Sequence, residues 1–341
     1  MSCAINLNEA KANIIECFKA GLVPMLHGSP GIGKSDIFRQ IAKEFGLLLI
    51  DERLSQADPT DLRGFPRINE ELLVAQYIRM ETYPVEGDEL PEGYNGWLLL
   101  FDEVTSAPSA IQAAAYKIIL DRRVNQSKLH EKCYVAAAGN LETDNAVVES
   151  MSTALQSRMV HFEVSVDPEQ WVDWAESSDV DYRITGFVKH RPGLLYNFDP
   201  DHTDKTFACP RTWCFLDRLI KVRADQSIPG LSLVAGTVSQ GVAQEFRTFC
   251  EIYTQLTSID TVLADPDNAP VPHEPSHLFA MAGSLANYMK PTNMVKLIAY
   301  MSRMPPEFQV VCLREAVRRQ KTLINEQAFK DWVKNSSTEL F

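Results

Sequence analysis

The sequence predicts an α/β unit, a parallel sheet covered by helices on both faces, followed by a mainly α-helical unit. Three observations carry this. Between residues 22 and 166, short apolar runs alternate with helical patterns. Beyond residue 166 the strand signals fade and apolar residues recur at helical spacing. At 341 residues the chain also exceeds what one hydrophobic core usually spans, so two units are expected, divided at 1–166 and 167–341.

Taken in order, the strand candidates are VPMLH at 23–27, LLLI at 47–50, WLLLF at 97–101, CYVAAAG at 133–139 and MVHFEV at 159–164. Pro24 is tolerable as the first residue of a strand. After the first run, Ile37, Phe38, Ile41 and Phe45 fall on one helical face, and Gly46 ends that helix. The 46 residues between LLLI and WLLLF exceed one crossover helix, and a turn near Asn69, flanked by Phe65-Pro66-Arg67-Ile68 and Leu72-Leu73-Val74, suggests a helix broken by a small hairpin, an insert near 58–80. In the second unit TWCFLDRLIKV, GVAQEFRTFCEIY, NMVKLIAYMSRM and EFQVVCLREAVRR read as helices, while 224–236 and 259–276 carry the turn formers and the latter is expected as a long surface loop. Trp171, Trp174, Trp213 and Phe215, at helical spacings, are expected in the core.

Composition bounds the function. The apolar runs are far too short to cross a bilayer, and the first residues mix Glu9, Lys11, Glu16 and Lys19 into their apolar positions, so neither a membrane span nor a secretory signal is expected and the chain reads as cytoplasmic. The seven cysteines form no CxxC pair and read as reduced, mostly buried thiols. A formal charge of −12 repels polyanions, so a protein partner is the better expectation than nucleic acid.

Chemistry is concentrated in HGSPGIGKS. Gly28, Ser29, Pro30, Gly31, Ile32 and Gly33 form a Gly-rich loop between a strand and a helix, where inward-facing backbone N–H groups and the helix dipole stabilise phosphate oxygens. Lys34 then reaches the β- and γ-phosphates and the Ser35 hydroxyl ligates Mg²⁺. The apolar run WLLLF ends in Asp102-Glu103. Carboxylates beside a buried strand need a reason, since unpaired charge near low dielectric is costly. Mg²⁺ supplies one: Asp102 holds the metal shell, and Glu103 polarises an attacking water. A kinase must exclude water, so an acid in this position favours ATP hydrolysis over transfer. His27, His190 and His202 read as packed or solvent-bonded groups.

With GSPGIGKS, LLLFDE, AAAGN and ALQSRM in this order, residues 22–166 resemble the AAA+ ATPases, and among them the MoxR-like branch, with the Rubisco-activating and cobalt-chelatase-type motors. DEVTSAPSAIQAAAYKIIL matches that branch's acid pair, linker, Ala-Pro and helix. The resemblance implies a P-loop NTPase αβα sandwich with a five-stranded parallel sheet and a helical lid. It also implies a ring, usually hexameric, that binds ATP at subunit boundaries and remodels a partner protein, commonly one carrying a von Willebrand factor A domain. Asn140, after CYVAAAG, takes the position of the first sensor. Arg158, after TALQS, takes that of an arginine finger acting on the neighbouring subunit, an effect worth about 10³–10⁵ in rate in other NTPases. Arg211, after Pro210 at a predicted helix start, takes that of the lid sensor, with Arg218 and Arg223 as alternatives. The segment from Arg63 to Leu72 corresponds to the family's helix-2 insert, facing the channel or a substrate.

The chain departs from the branch at Thr105 and Ser106, where Asn-Arg is common. Arg122 and Arg123 either replace that interface charge or cap their helix. Met159 replaces the usual Phe. Two other functions stay open: a slow-turnover nucleotide switch and a DNA-directed AAA+ ATPase, the latter opposed by the acidic balance.

Overall fold

The computed structural model describes residues 4–70, 74–144, 151, 153–201 and 204–340. Two units divide the chain: Met1–Asp167 with Asp199–His202, and Pro168–Phe198 with Thr203–Phe341, so a short segment after residue 198 groups with the first unit.

Asn6 caps the first helix, α1 (Leu7–Lys19), accepting the Glu9 N–H at 3.0 Å. In order follow β1 (Pro24–His27), α2 (Lys34–Phe45), β2 (Leu47–Arg53), α3 (Pro59–Arg63), β3 (Phe65–Asn69), β4 (Val74–Ile78), β5 (Gly96–Asp102), α4 (Ser109–Asp121), a small ribbon of β6 (Arg123–Val124) and β7 (Ser127–Lys128), β8 (Cys133–Gly139), α5 (Thr153–Gln156) and β9 (Val160–Glu163). One five-stranded sheet runs in the order β2-β5-β8-β1-β9, parallel throughout. All five apolar runs are its strands.

β5 is buried at every position because both of its faces are covered. Trp97, Leu99 and Phe101 pack with Ile111 and Ile118 of α4. Alternation turns Leu98 and Leu100 to the other face, where α2 packs on β2 and β5. Phe45, expected on the inner face of α2, is instead 43% exposed and rims a surface cleft with Phe18 and Tyr134, because it ends the last turn, at Gly46.

The insert departs from the expected broken helix. α3 has five residues, begun by Asp58 in a capping box, and the antiparallel β3–β4 hairpin follows it directly. Among the described residues no helix resumes before β5, since Pro84, Gly87, Pro91 and Gly93 interrupt the return. Leu72 and Leu73 lie outside the described residues.

The second unit is helical: α6 (Pro168–Ser177), α7 (Tyr182–His190), α8 (Pro210–Lys221), α9 (Leu231–Val238), α10 (Gln240–Thr254), α11 (Ile259–Ala264), α12 (Pro275–Tyr288), α13 (Met294–Met301), α14 (Pro306–Arg319) and α15 (Gln327–Leu340). Two stretches expected as loops thus contain helix. α11 forms because Ser258 caps the Thr261 N–H and Val262 is fully buried; α9 is anchored by buried Val234 and Val238. Trp171 and Trp213 are core residues as expected, but Trp174 and Phe215 are 39% and 42% exposed. Phe215 lies two residues from Trp213, about 200° around the helix, and so faces away.

This unit also buries charge. Lys189 of α7 pairs with Glu176 of α6 and, at 2.7 Å, with Glu315 of α14. Arg318 bonds Asp173 and Glu176, while Arg319 reaches Glu315, Thr185 and the Val180 carbonyl. The cysteines among the described residues are free, and all but Cys214 are buried. No helix among the described residues is long and apolar enough to cross a membrane.

Candidate active site

The Gly-rich loop joins β1 to α2, as its sequence requires. Gly31 and Gly33 have φ of 80° and 106°, backbone that L side chains rarely adopt, and α2 starts at Lys34. The loop therefore ends on the positive pole of a twelve-residue helix.

Lys34 is buried at 8% exposure. Its ammonium donates to the carbonyls of Gly28 (2.5 Å) and Ser29 (3.0 Å) and to Asn140 Oδ1 (3.0 Å). An ammonium only donates, so the amide must turn its oxygen to Lys34, leaving its N–H₂ as the donor end. Asp102, 7% exposed at the tip of β5, accepts the Ser35 hydroxyl at 2.5 Å through Oδ2 and the Glu103 N–H at 2.8 Å through Oδ1. A hydroxyl and a carboxylate oxygen side by side, beside a buried strand end, are the hard oxygen ligands that suit Mg²⁺. Glu103 occupies the left-handed region (φ 59°, ψ 32°), a conformation that costs a non-glycine residue about 1–2 kcal/mol. It is held there by the Asp102 bond and by the Ser55 hydroxyl, which donates to Glu103 Oε2.

The structure thus brings together the loop Gly28–Ser35, Asp102, Glu103 and Asn140. Arg158 lies apart, exposed on the turn between α5 and β9, its guanidinium 5.8 Å from the centre of the Tyr116 ring. Arg211 is exposed in the first turn of α8, in the second unit. Arg218 lies over the Phe215 ring at 4.8 Å and Arg223 bonds Ser227. Arg122 donates to the carbonyls of His130 and of Cys133 at the start of β8, and Arg123 to the Gln126 carbonyl in the turn between β6 and β7.

Several residues at the site escaped the sequence. Ser55 sits on a 3₁₀ turn (Leu54–Gln56) after β2, with no motif to mark it. Asp144, 8% exposed, accepts the Ser29 hydroxyl at 2.9 Å and the Leu141 N–H at 3.2 Å, tying the phosphate loop to the loop after β8. Thr105 bonds both backbone groups of Asn140. His27 and His161 stack, with His27 Nε2 and His161 Nδ1 2.8 Å apart and His161 Nε2 2.7 Å from the Gln156 carbonyl. That carbonyl only accepts, so a neutral His161 carries its proton on Nε2 and takes the His27 Nε2–H at Nδ1. Burial first, then His161 and Lys34, push the His27 imidazole down to about 4, against an opposing pull from Glu163. The alternate strand spacing of His27 and His161 across β1 and β9 could have hinted at this pair; the other three needed the fold.

Comparison with known families matches residues 24–159 to the AAA domain of the dynein-related subfamily. No curated protein matches the chain. Among solved structures, a Cytophaga hutchinsonii protein assigned as an ATPase is 14% identical, covering 99% of this chain and 91% of that one at a TM-score of 0.38. The RuvB Holliday junction branch migration motor of Thermotoga maritima is 15% identical, covering 87% of this chain and 86% of that one at 0.39. At such scores these likenesses carry no argument, and the assignment stands on the family match and on the sheet, loop and strand-tip acids described above. Residues 24–159 are an AAA+ domain of the dynein-related subfamily.

Proposed function

We propose that this chain is a Mg²⁺-dependent ATPase, a MoxR-like AAA+ motor that works as an oligomer and spends hydrolysis on remodelling a partner protein. The observation that carries this reading is the single bonded constellation Lys34–Asn140 and Ser35–Asp102–Glu103 at the end of the phosphate loop. ATP lies with its phosphates against the loop N–H groups, and Lys34 exchanges its carbonyl partners for phosphate oxygens. Ser35 and Asp102 would hold Mg²⁺, which would supply charge neutralisation on the phosphates. The Asn140 amide N–H₂ and the Glu103 carboxylate orient a water whose oxygen attacks the γ-phosphorus as the bond to the bridging oxygen breaks. Glu103 takes the proton that water loses.

Arg158, exposed on the first unit, acts on the ATP of a neighbouring copy, and Arg211 reports bound nucleotide from the lid. The β3–β4 hairpin suits a protein contact. Its large apolar side chains are exposed on both faces, Phe65 (56%) and Ile78 (52%) on one and Ile68 (72%) and Tyr77 (53%) on the other. A two-stranded hairpin is marginal alone, so a covering partner stabilises it. A partner with a von Willebrand factor A domain rests on the MoxR-like resemblance.

Steady-state phosphate release, with ATP binding measured beside it, tests the proposal. Glu103→Gln should retain ATP and lose turnover by about 10²–10⁴. That variant with ATP should then capture the partner in a pull-down, and deletion of the hairpin should abolish capture. Little turnover in the wild type, or equal turnover in the variant, would leave a nucleotide switch and sink the motor.

A further inference from the structure

We infer that Thr105 is a positioning residue for hydrolysis, setting Asn140 relative to Glu103; the inference rests on the ATPase reading above. Asn140 lies beyond both ladders of its strand, one residue past the last pair with β1 and three past the last pair with β5. The β5–β8 ladder ends at Phe101 opposite Ala137 and the β1–β8 ladder at His27 opposite Gly139. No strand neighbour is therefore in register with Asn140. The Thr105 hydroxyl fills that role with one atom, accepting the Asn140 N–H at 2.9 Å and donating to the Asn140 carbonyl at 3.2 Å. A hydroxyl has one proton and two lone pairs, so it can do both.

The placement is built from both sides. Thr105 is 4% exposed, so it is an interior group of the first unit. It belongs to the 3₁₀ turn Val104–Ser106, whose N-cap is Glu103, with the Ser106 N–H returning to the Glu103 carbonyl at 3.0 Å. From the other side, a Cβ at Gly139 would come within 2.6 Å of Thr105 Oγ1 and 2.8 Å of Cγ2, so the approach requires glycine there. The residue that polarises water and the residue that orients it thus share one short rigid link, two peptides long on the Glu103 side and a pair of hydrogen bonds on the Asn140 side. The side chain of Asn140 in turn reaches Lys34, which places that link against the phosphate end of the site.

The test combines single-turnover hydrolysis and ATP affinity for Thr105→Val, Thr105→Ser, Asn140→Ala and the double variant Thr105→Val/Asn140→Ala, with thermal unfolding to verify the fold. Thr105→Val keeps the shape and removes both bonds. It should lower the hydrolysis rate about ten- to a hundredfold, the penalty for misplacing a catalytic group, with ATP affinity within about twofold. Thr105→Ser should return most of the rate. In the Asn140→Ala background Thr105→Val should cost nothing more, because the group it positions is gone. Gly139→Ala, which presses on Thr105 without altering it, should give the same pattern and decides the matter should Thr105→Val fail to fold. The inference is overturned by near-wild-type turnover in Thr105→Val, by a parallel loss of ATP affinity, or by the same fold-loss with and without Asn140. A wild-type chain that binds ATP without hydrolysing it overturns the ATPase reading itself.

Discussion

Both units bury charge, but they surround it differently. In the first, Lys34 is held by two carbonyl oxygens and an amide oxygen, and Asp102 by a hydroxyl and a peptide N–H. In the second, Lys189 sits between two carboxylates, and Arg318 and Arg319 complete the set. Charge answered by full counter-charge is closed and has no reason to receive a ligand. Charge bonded to neutral dipoles is stabilised enough to stay folded yet gains when an opposite charge arrives. The partner, more than the residue type, separates a site from a scaffold.

The largest expected effect lies in the scaffold. Glu176→Ala removes a fully buried carboxylate and leaves Lys189 and Arg318 short of a partner, so it should destabilise the second unit by about 3–5 kcal/mol, toward the lower end because Glu315 and Asp173 remain. Denaturant unfolding of wild type and variant measures this. A loss under about 1 kcal/mol would mean the network is no tighter than a surface pair and would erase the contrast.

Lys34→Met is the complementary change. It removes a buried charge with a side chain of similar length, so stability should hold or rise. Nucleotide affinity should fall about ten- to a hundredfold, the worth of one charge-assisted bond. Equilibrium binding of ATP beside a melting curve separates the two outcomes. A variant that loses stability and keeps affinity would place Lys34 with the scaffold.

The same contrast explains what could be read in advance. The strands, the loop Gly28–Ser35 and the Asp102-Glu103 tip were legible because each is written in contiguous residues: an apolar run, a glycine spacing, an acid pair where a run stops. Asn140 was legible only through the family resemblance, because an Asn after a strand reads equally well as a turn former. Ser55, Thr105 and Asp144 were not, since a lone hydroxyl or acid acquires meaning only when another strand's end comes near. Among helices the misses share a cause. The turn formers before α9 and within 259–276 signalled loop, yet a Ser258 cap and a few buried aliphatics sufficed for a turn or two of helix. Trp174 and Phe215 sit at helical spacings that suggest core, but Phe215 points about 200° from Trp213, and Trp174, about 60° from Trp171, falls at the edge of the buried face.

The smallest expected effect tests the boundary between the two kinds of charge, at His27. Burial, with His161 and Lys34 pushing down and Glu163 pulling up, leaves it at about 4, below the ordinary 6.5. Between those values the unfolded chain binds a proton there and the folded chain does not. Stability therefore rises with pH through that window: it is complete above about 6.5, declines as the pH falls toward 4 and levels off below. His27 is half-buried, and solvent screening reduces the effect to about 1 kcal/mol at pH 5. His27→Gln keeps a donor for His161 Nδ1 but cannot titrate, so the first unit of that variant should show a flatter decline between pH 7 and pH 5 in unfolding experiments. Parallel curves for the two proteins would mean that His27 is protonated as easily in the fold as outside it, and that the imidazole beside the phosphate loop is a solvated group with no part in the site's electrostatics.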